Sequence, residues 1–197
     1  MTSPMSQDLR TLLPPARERA TGQQAPYLVA TVCLGNICRS PMAAAVLTDR
    51  IEGAGLADRV RVVSAGTGDW HVGAAMDRRA AEVLTTQGYV VRGHRARQVD
   101  EVWLGECDLV LAMDADNYRA LDEMAGAALG DRLRMFRDFD PLLTASSAHG
   151  TVRDVPDPYY GQDEGFTTVL TIVERTSEAL VAALAATLDG SNGREAR

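Results

Sequence analysis

Cys33 and Arg39 lie in the segment VCLGNICRSP, residues 32–41, with five residues between them. A thiol beside an arginine and a helix N-terminus is favoured in its thiolate form, which can accept a phosphoryl group covalently. The planar guanidinium of Arg39 can hold two phosphoryl oxygens at once, which an ammonium group cannot do. The pair predicts phosphoryl transfer through a cysteine nucleophile. A lone cysteine that ends a buried strand is more often a small packing residue, but this spacing favours chemistry.

The residues around this pair are suited to bind an anion. Gly35 lets the backbone bend and approach a ligand closely, and Asn36 tolerates left-handed conformations. We expect Ser40 to be the N-cap and Pro41 the first residue of a helix, whose N-terminus attracts anions. The predicted phosphate-binding residues between and beside Cys33 and Arg39 are Leu34, Gly35, Asn36, Ile37, Cys38 and Ser40.

An alternation of strands and helices positions this turn. Apolar runs predict buried strands at 27–32, 60–64, 109–113 and 133–136, and apolar periodicity predicts helices at 41–52, 77–87, 115–128 and 165–188. This order is typical of an α/β fold. We expect a single Rossmann-like domain at 27–188, with a four-stranded parallel sheet flanked by helices on both faces. Ligands bind at the carboxyl ends of such strands, where the turn lies.

Composition limits the classes of function. The chain has 197 residues, 46% of them hydrophobic, which suffices for one ordinary core. Its net charge of −7 argues against nucleic acid or an anionic membrane as the main partner. Three cysteines do not form a disulfide scaffold, and no apolar run reaches the roughly 20 residues that span a bilayer. We expect a soluble cytoplasmic protein with a flexible arm at 1–26, which lacks a signal sequence, and a disordered tail at 189–197.

A candidate proton donor follows in VPDPYY, residues 155–160. A phenolate leaving group, with a pKa of about 10, needs a proton as it departs. Asp157 can supply that proton, and Pro156 and Pro158 restrict the backbone on either side of it. The alternative reading of the Asp-Pro pair is ordinary turn chemistry.

Aromatic residues could line the same site. Trp70 lies in a glycine-bearing loop after the second predicted strand, and Tyr159 and Tyr160 follow Asp157 closely. Together they could form a slot for a flat aromatic ring. The alternative, core packing, stays open for Trp70 and more so for Tyr160.

In these motifs and their order the chain resembles the low-molecular-weight protein tyrosine phosphatases, whose signature is C-x5-R-[ST] directly after the first strand. The motifs that carry the resemblance, which extends over residues 27–188, are CLGNICRSP, SAGTGDWHVG, HRARQV, DLVLAMDADNY and DVPDPYYG. The resemblance implies hydrolysis of protein phosphotyrosine through a phosphocysteine intermediate, with release of inorganic phosphate and without cofactor or metal. The implied partners are phosphotyrosine proteins, with a tyrosine kinase among the candidates, and the implied state is a monomer or weak dimer.

The resemblance also implies residue roles. Cys33 is the nucleophile, Arg39 holds the phosphoryl oxygens, and Asp157 is first the general acid and then the base toward water. Residues matching a network that supports the phosphate loop are Asn36, Ser40, Ser64 and His94. Asp114 is expected to brace the site, with helix capping as an equal alternative, and His94 could be purely structural.

The other two cysteines receive different readings. The family resemblance implies that Cys38 can form a reversible disulfide with Cys33, which protects the nucleophile from over-oxidation. The alternative for Cys38 is loop packing. Cys107 is expected to be a buried strand residue.

The sequence argues against four rival functions. Arsenate reductases need two further cysteines after the third strand, where this chain has none. Phosphoarginine phosphatases carry threonine at the position of Ile37, whose apolar side chain favours a phenyl ring. A haloacid-dehalogenase-type reading of Asp138 and Asp140 lacks the required apolar strand, because Arg137 intrudes. A phosphate-binding or thiol-sensing module would not need Cys33, Arg39 and Asp157 together.

The sequence departs from the family in three places. Ala44 replaces a glutamate that many members carry on the first helix. The stretch 140–155 before Asp157 is longer than usual, and the arm at 1–26 is extra. We expect Ala44 to alter local surface charge rather than the chemistry, and the long stretch to bear on substrate choice and loop mobility. The sequence assigns no role to the arm.

Overall fold

A parallel β-sheet forms the centre of the computed structural model, which describes residues 8–17, 25–91, 93–143 and 153–192, with side chains through 189. In these residues the strands are β1 (Tyr27–Cys33), β2 (Val60–Gly66), β3 (Leu109–Ala112) and β4 (Leu133–Met135). Their order is β2-β1-β3-β4, and each neighbouring pair is parallel. The predicted four-stranded parallel sheet is confirmed.

Helices cover both faces of this sheet. They are α1 (Arg39–Gly53), α2 (Arg78–Thr86), α3 (Glu101–Glu106), α4 (Ala115–Leu129) and α5 (Asp163–Asn192). One core cluster joins α1, α2 and α5 to side chains such as Val29 and Leu111, and another joins α3 and α4 to Val32 and Val110. Alternate residues of β1 and β3 thus enter opposite cores, as a strand buried on both faces requires.

Some element bounds differ from the prediction. Helix α1 begins at Arg39 with Cys38 as its N-cap, so Ser40 is not the cap that the sequence predicted. The prediction missed α3, a six-residue helix whose N-cap Asp100 accepts a hydrogen bond from the Trp103 N–H at 2.8 Å. A helix this short has too few turns to show apolar periodicity.

The chain before β1 is partly packed on the domain. Leu9–Leu12 form a 3-10 helix that packs against the core with Leu13. The Tyr27 hydroxyl donates to the Pro14 carbonyl at 3.0 Å, and the Arg17 N–H donates to Asp108 Oδ1 at 2.7 Å. The expectation of a flexible arm is therefore wrong for residues 8–17, while 1–7 and 18–24 lie outside the described residues.

The structure also differs from the predictions for the C-terminal tail and for Cys107. Helix α5 extends through 189–192, the start of the predicted disordered tail, and 193–197 lie outside the described residues. Cys107 is buried as expected but is the C-cap of α3 rather than a strand residue. Most of the long stretch at 140–155, residues 144–152, is also outside the described part. None of the described helices is both long and apolar enough to cross a bilayer.

Candidate active site

The turn after β1 forms a loop, residues 34–38, which we call the phosphate loop. The buried Asn36 holds its backbone. This residue adopts a left-handed conformation with φ of 53°. Its side-chain amide donates to Ser40 Oγ at 2.9 Å and to Ser64 Oγ at 3.0 Å, and its Oδ1 accepts the Arg97 N–H at 3.0 Å. His94 Nε2 donates to the Asn36 carbonyl oxygen at 2.7 Å. The four residues expected to support the loop thus share one hydrogen-bond network.

His94 holds the loop as a neutral ring. Burial lowers the pKa of His94, and the positive charge of Arg95 adds to this effect. The hydrogen bond to the Asn36 carbonyl acts in the opposite direction but does not outweigh burial. The imidazole therefore needs only its Nε2–H to fix the loop.

Cys33 ends β1 beneath this loop, and its side chain is buried. Its Sγ lies 3.0 Å from Ser40 Oγ, which also lies 3.2 Å from the Ala65 carbonyl oxygen. A thiolate has no proton, so with ionised Cys33 the Ser40 hydroxyl is the donor of this hydrogen bond. Ser40 is the second residue of α1 rather than its cap, and its hydroxyl faces the Cys33 sulfur instead.

Two glycines allow the loop to pack closely against its neighbours. A Cβ atom on Gly66, the last residue of β2, would lie 2.7 Å from the Leu34 carbonyl oxygen. A Cβ on Gly35 would lie 2.9 Å from Cδ2 of His71. Any side chain at Gly66 would therefore displace the loop backbone. Gly66 was not among the predicted site residues, and its signal in the sequence is its place at the end of a strand.

Arg39 lies below the loop with its guanidinium between two carboxylates. Its Nη1 donates to Asp114, and its Nη2 donates to Asp157 Oδ2 at 2.6 Å. Burial alone lowers the pKa of Arg39, but the negative charges of Cys33, Asp157 and Asp114 outweigh it and raise this pKa. Arg39 is therefore a permanent cation. Asp114 also accepts the Asn117 N–H at 2.7 Å, so it is both a brace and the N-cap of α4.

Asp157 lies in the segment 153–162, which we call the acid loop. The Val155 N–H donates to the Met113 carbonyl at 2.7 Å, which attaches the loop to the end of β3. Asp157 Oδ1 accepts the Tyr159 N–H at 3.1 Å, while Oδ2 faces Arg39. The Asp157 side chain is 39% exposed, compared with 4% for Arg39. Water and substrate can therefore reach the carboxylate.

These groups surround a cavity of about 310 Å³. Its lining residues are Cys33, Leu34, Gly35, Ile37, Cys38, Arg39, Trp70, His71, Asp157, Tyr159 and Tyr160. Cys33 and Arg39 are buried at its base, whereas Trp70 is 72% exposed and Tyr160 is 95% exposed. The cavity thus has a polar base and an aromatic rim. A larger cavity of about 480 Å³ between α2 and α5 has no cysteine in its lining.

The aromatic rim includes His71, which was not among the predicted site residues. The His71 and Tyr159 rings lie 6.0 Å apart, and Tyr160 packs edge-on against Tyr159 at 5.0 Å. The Trp70 ring covers Gly68, where a Cβ would lie 1.8 Å from the indole. The signal for His71 was its position directly after Trp70.

Cys38 is buried and lines the same cavity as Cys33, the candidate nucleophile. Burial, followed by the negative charges of Asp77, Cys33 and Asp157, raises the pKa of Cys38 to about 12. The Cys38 thiol therefore stays protonated at neutral pH. All three cysteines of the chain are free thiols in this structure.

Asp138 and Asp140, which suggested a metal-dependent alternative, form ion pairs with arginines. Asp138 pairs with Arg153 at 2.5 Å, and Asp140 is hydrogen-bonded by Arg137 and Arg175. Among the described residues, no group of three or more His, Cys, Asp or Glu side chains is arranged to hold a metal ion. Both carboxylates thus serve as ion-pair partners.

Comparison with known proteins identifies the family. The model of the family described as low molecular weight phosphotyrosine protein phosphatase matches residues 28–189. The chain belongs to this family. The low molecular weight protein-tyrosine-phosphatase of Streptomyces coelicolor is 44% identical over 165 residues, covering 83% of this chain and 97% of that protein. The protein-tyrosine phosphatase A of Mycobacterium tuberculosis is 46% identical over 149 residues, covering 76% and 86%.

Solved structures agree with this membership. The crystal structure of a protein tyrosine phosphatase from Entamoeba histolytica, with Hepes in its active site, has a TM-score of 0.74 and 34% identity, covering 81% of this chain and 97% of that one. YfkJ from Bacillus subtilis has a TM-score of 0.74 and 35% identity, covering 84% and 99%. The chain is therefore a low molecular weight protein tyrosine phosphatase, and the predicted family and enzyme class are confirmed.

Proposed function

We propose that this phosphatase hydrolyses phosphotyrosine through a phosphocysteine formed on Cys33, with Arg39 as the phosphoryl-binding cation and Asp157 as the general acid. The observation that carries this assignment is that all three residues line one cavity. Arg39 and Cys33 lie at its base, and Asp157 contacts Arg39 at 2.6 Å. A group bound to Arg39 therefore lies next to both the nucleophile and the acid.

In the first step the Cys33 thiolate attacks phosphorus, forming a sulfur–phosphorus bond as the bond to the tyrosyl oxygen breaks. The Arg39 guanidinium and the backbone N–H groups of residues 34–40 bind the three equatorial oxygens, which carry the charge of the transition state. Phosphoryl oxygens that bind Arg39 compete with Asp157 for the Arg39 Nη2. A carboxylate displaced in this way can take up a proton from solvent before the tyrosyl oxygen departs. Asp157 then gives its proton to the departing oxygen.

In the second step water attacks the phosphocysteine. Asp157, now a carboxylate, accepts a proton from that water, the sulfur–phosphorus bond breaks, and inorganic phosphate leaves. The Ser40 hydroxyl, 3.0 Å from the sulfur, donates to the thiolate as it forms. The protonated thiol of Cys38 does not compete as a nucleophile, because the thiolate is the reactive form.

The cavity walls support phosphotyrosine as the substrate. Trp70 and Tyr159 offer flat apolar faces at the rim, and Ile37 supplies an apolar side chain further in. A phenyl ring gains from burial against such groups, whereas a guanidinium would lose hydrogen bonds to water. We infer that protein phosphotyrosine is preferred over phosphoarginine.

The setting in which the enzyme acts is inferred from composition. Three free, buried cysteines and no disulfide are suited to a reducing cytoplasm. We infer cytoplasmic phosphotyrosine proteins as substrates, with a tyrosine kinase among the candidates, and action as a monomer or weak dimer. The reaction that the residues perform needs no cofactor.

The test is phosphate release from matched phosphotyrosine, phosphoserine and phosphoarginine peptides without added metal. We expect the wild type to act on phosphotyrosine, and Cys33→Ser to lose this activity. Asp157→Asn should lower kcat/KM for phosphotyrosine by about 10²- to 10⁴-fold, because a tyrosyl oxygen leaves poorly without a proton. Preferential turnover of phosphoarginine would contradict the argument from Ile37, and a fall of only a few-fold in Asp157→Asn would contradict the acid assignment.

A further inference from the structure

Arg79, in the first turn of α2, connects that helix to the acid loop. Its Nη2 donates to the Tyr159 carbonyl oxygen at 3.0 Å, and its Nη1 donates to the Gly161 carbonyl oxygen at 3.3 Å. Both acceptors lie within four residues of Asp157 on the C-terminal side. One guanidinium thus binds the backbone that follows the acid at two points.

The same arginine is tied to the phosphate loop through Asp77. The Asp77 carboxylate accepts from Arg79 Nε at 3.2 Å and from Arg79 Nη2 at 3.1 Å, and the Asp77 N–H donates to the Ile37 carbonyl at 2.8 Å. Burial alone raises the pKa of Asp77, but the hydrogen bonds from Arg79 outweigh it and lower this pKa. Asp77 is therefore a carboxylate at neutral pH, and the ion pair persists.

An aromatic ring of the core packs against this guanidinium. The Arg79 Cζ lies 4.6 Å from the centroid of the Phe166 ring, and Phe166 is fully buried in the core. A cation over an aromatic face is attracted by the ring. This contact therefore helps to hold the Arg79 guanidinium beside the acid loop.

Tyr159 joins the two sets of contacts. Its N–H donates to Asp157 Oδ1 at 3.1 Å, while its carbonyl accepts from Arg79. A shift of this residue would move the acid relative to the phosphate loop, and a displacement of about 1 Å can cost about 10²-fold in rate. We propose that Arg79 is a positioning residue, which holds Asp157 in register with the leaving-group oxygen. This inference rests on the proposed role of Asp157 as general acid.

The neighbouring Arg78 offers a matched control. It lies in the same turn of α2 and carries the same charge, but its side chain is 83% exposed and its ion pair is with Glu82 at 3.0 Å. Arg78→Ala therefore removes the same charge and the same side-chain length from the same helix. It leaves the acid loop contacts in place.

The test compares two substrates whose leaving groups differ in their need for a proton. Phenyl phosphate releases a phenol with a pKa of about 10 and needs the acid. 2,4-Dinitrophenyl phosphate releases a stable anion and does not. We expect Arg79→Ala to lower kcat/KM for phenyl phosphate by about 10- to 100-fold and to change kcat/KM for the dinitrophenyl ester by less than about threefold. Arg78→Ala should leave both values unchanged.

A double-mutant cycle with Asp157→Asn separates this inference from the assignment of the acid. If Arg79 acts through Asp157, Arg79→Ala in the Asp157→Asn background should have no further selective effect on phenyl phosphate. Equal losses on both substrates in Arg79→Ala, or no loss, would overturn the positioning role. If Asp157→Asn itself shows no selectivity between the esters, the acid assignment fails and this inference fails with it.

Discussion

Two arginine–carboxylate clusters in the described part of the protein have opposite compositions. In the active-site cluster one arginine, Arg39, lies between two carboxylates, Asp114 and Asp157. In the second, which we call the Asp140 cluster, one carboxylate lies between Arg137 and Arg175. The Asp157 side chain is 39% exposed, whereas that of Asp140 is fully buried.

The difference shows how the same ion pair serves binding or stability. Each oxygen of Asp140 is occupied: Oδ1 accepts from Arg175 and from the Leu142 N–H, and Oδ2 accepts from Arg175 and Arg137. The cluster joins α5 to the 3-10 turn Phe136–Phe139, and its carboxylate is fully buried. In the active-site cluster, Arg39 and Asp157 instead line an accessible cavity. If Arg39 binds the phosphoryl group as proposed, an arriving anion replaces a carboxylate there, and the ion pair at Arg39 is exchangeable.

The largest expected effect follows from replacing the fork of Arg39 while keeping its charge. Arg39→Lys should lower kcat/KM for phenyl phosphate by about 10²- to 10³-fold, because an ammonium cannot bind two phosphoryl oxygens in a plane. The substitution should lower the free energy of unfolding by less than its kinetic effect suggests, because the partly exposed Asp157 can hydrogen-bond to water instead of Arg39. Steady-state kinetics and thermal unfolding check this, with the exposed Arg119→Lys as the control. Retention of more than about a tenth of the activity would contradict it.

A substitution in the Asp140 cluster should lower stability and leave the activity nearly unchanged. Asp140→Asn leaves two arginines without their shared carboxylate, and breaking such a buried pair costs about 3 kcal/mol of unfolding free energy. We expect kcat/KM for phenyl phosphate to change by less than about threefold, because Asp140 does not line the active-site cavity. Urea denaturation measures the first quantity. A loss of activity without a loss of stability would reverse the comparison.

The matched control for this substitution is Asp116→Asn. Asp116 also pairs with an arginine, Arg119, but its side chain is 82% exposed. Exposed pairs contribute little because water screens both charges. A similar destabilisation in the two variants would show that loss of an aspartate, rather than loss of the buried pair, is responsible.

Much of the active-site cluster could be predicted from the sequence, because its residues lie in short local motifs. The interval from Cys33 to Arg39 fixes a loop between a strand and a helix, and the Asp-Pro context marks Asp157. The parallel sheet followed from the strand–helix alternation and is confirmed. The roles of these residues remain predictions, although one cavity contains them.

The rest depends on contacts between distant segments. Arg79 lies in an ordinary amphipathic helix, and only folding brings it to the carbonyls of Tyr159 and Gly161. Arg175 likewise reaches Asp140 across 35 positions of sequence. Composition and periodicity report which face of an element is buried, but they do not report which partner a polar side chain meets there. The packing of residues 8–17 was missed for the same reason.

The smallest expected effect is on the pH dependence of stability. It distinguishes the charge of Asp140 from the acid sensitivity of the protein as a whole. Burial raises the pKa of Asp140, but hydrogen bonds from Arg175, Leu142 and Arg137 outweigh burial, so this pKa lies below the ordinary aspartate value of 3.8. Because the unfolded state then binds the proton more tightly, the contribution of Asp140 to stability is fully present above pH 3.8 and declines as pH falls through the lowered folded-state pKa.

The difference in unfolding free energy between wild type and Asp140→Asn should therefore shrink as pH is lowered from about 6 to about 3. Urea titrations at several pH values measure this difference. The change with pH is only part of the total cost, because the amide also disturbs the hydrogen-bond geometry at every pH. A difference that stays constant with pH would mean that shape rather than charge makes Asp140 necessary, and the contrast with the exchangeable pair at Arg39 would then be steric rather than electrostatic.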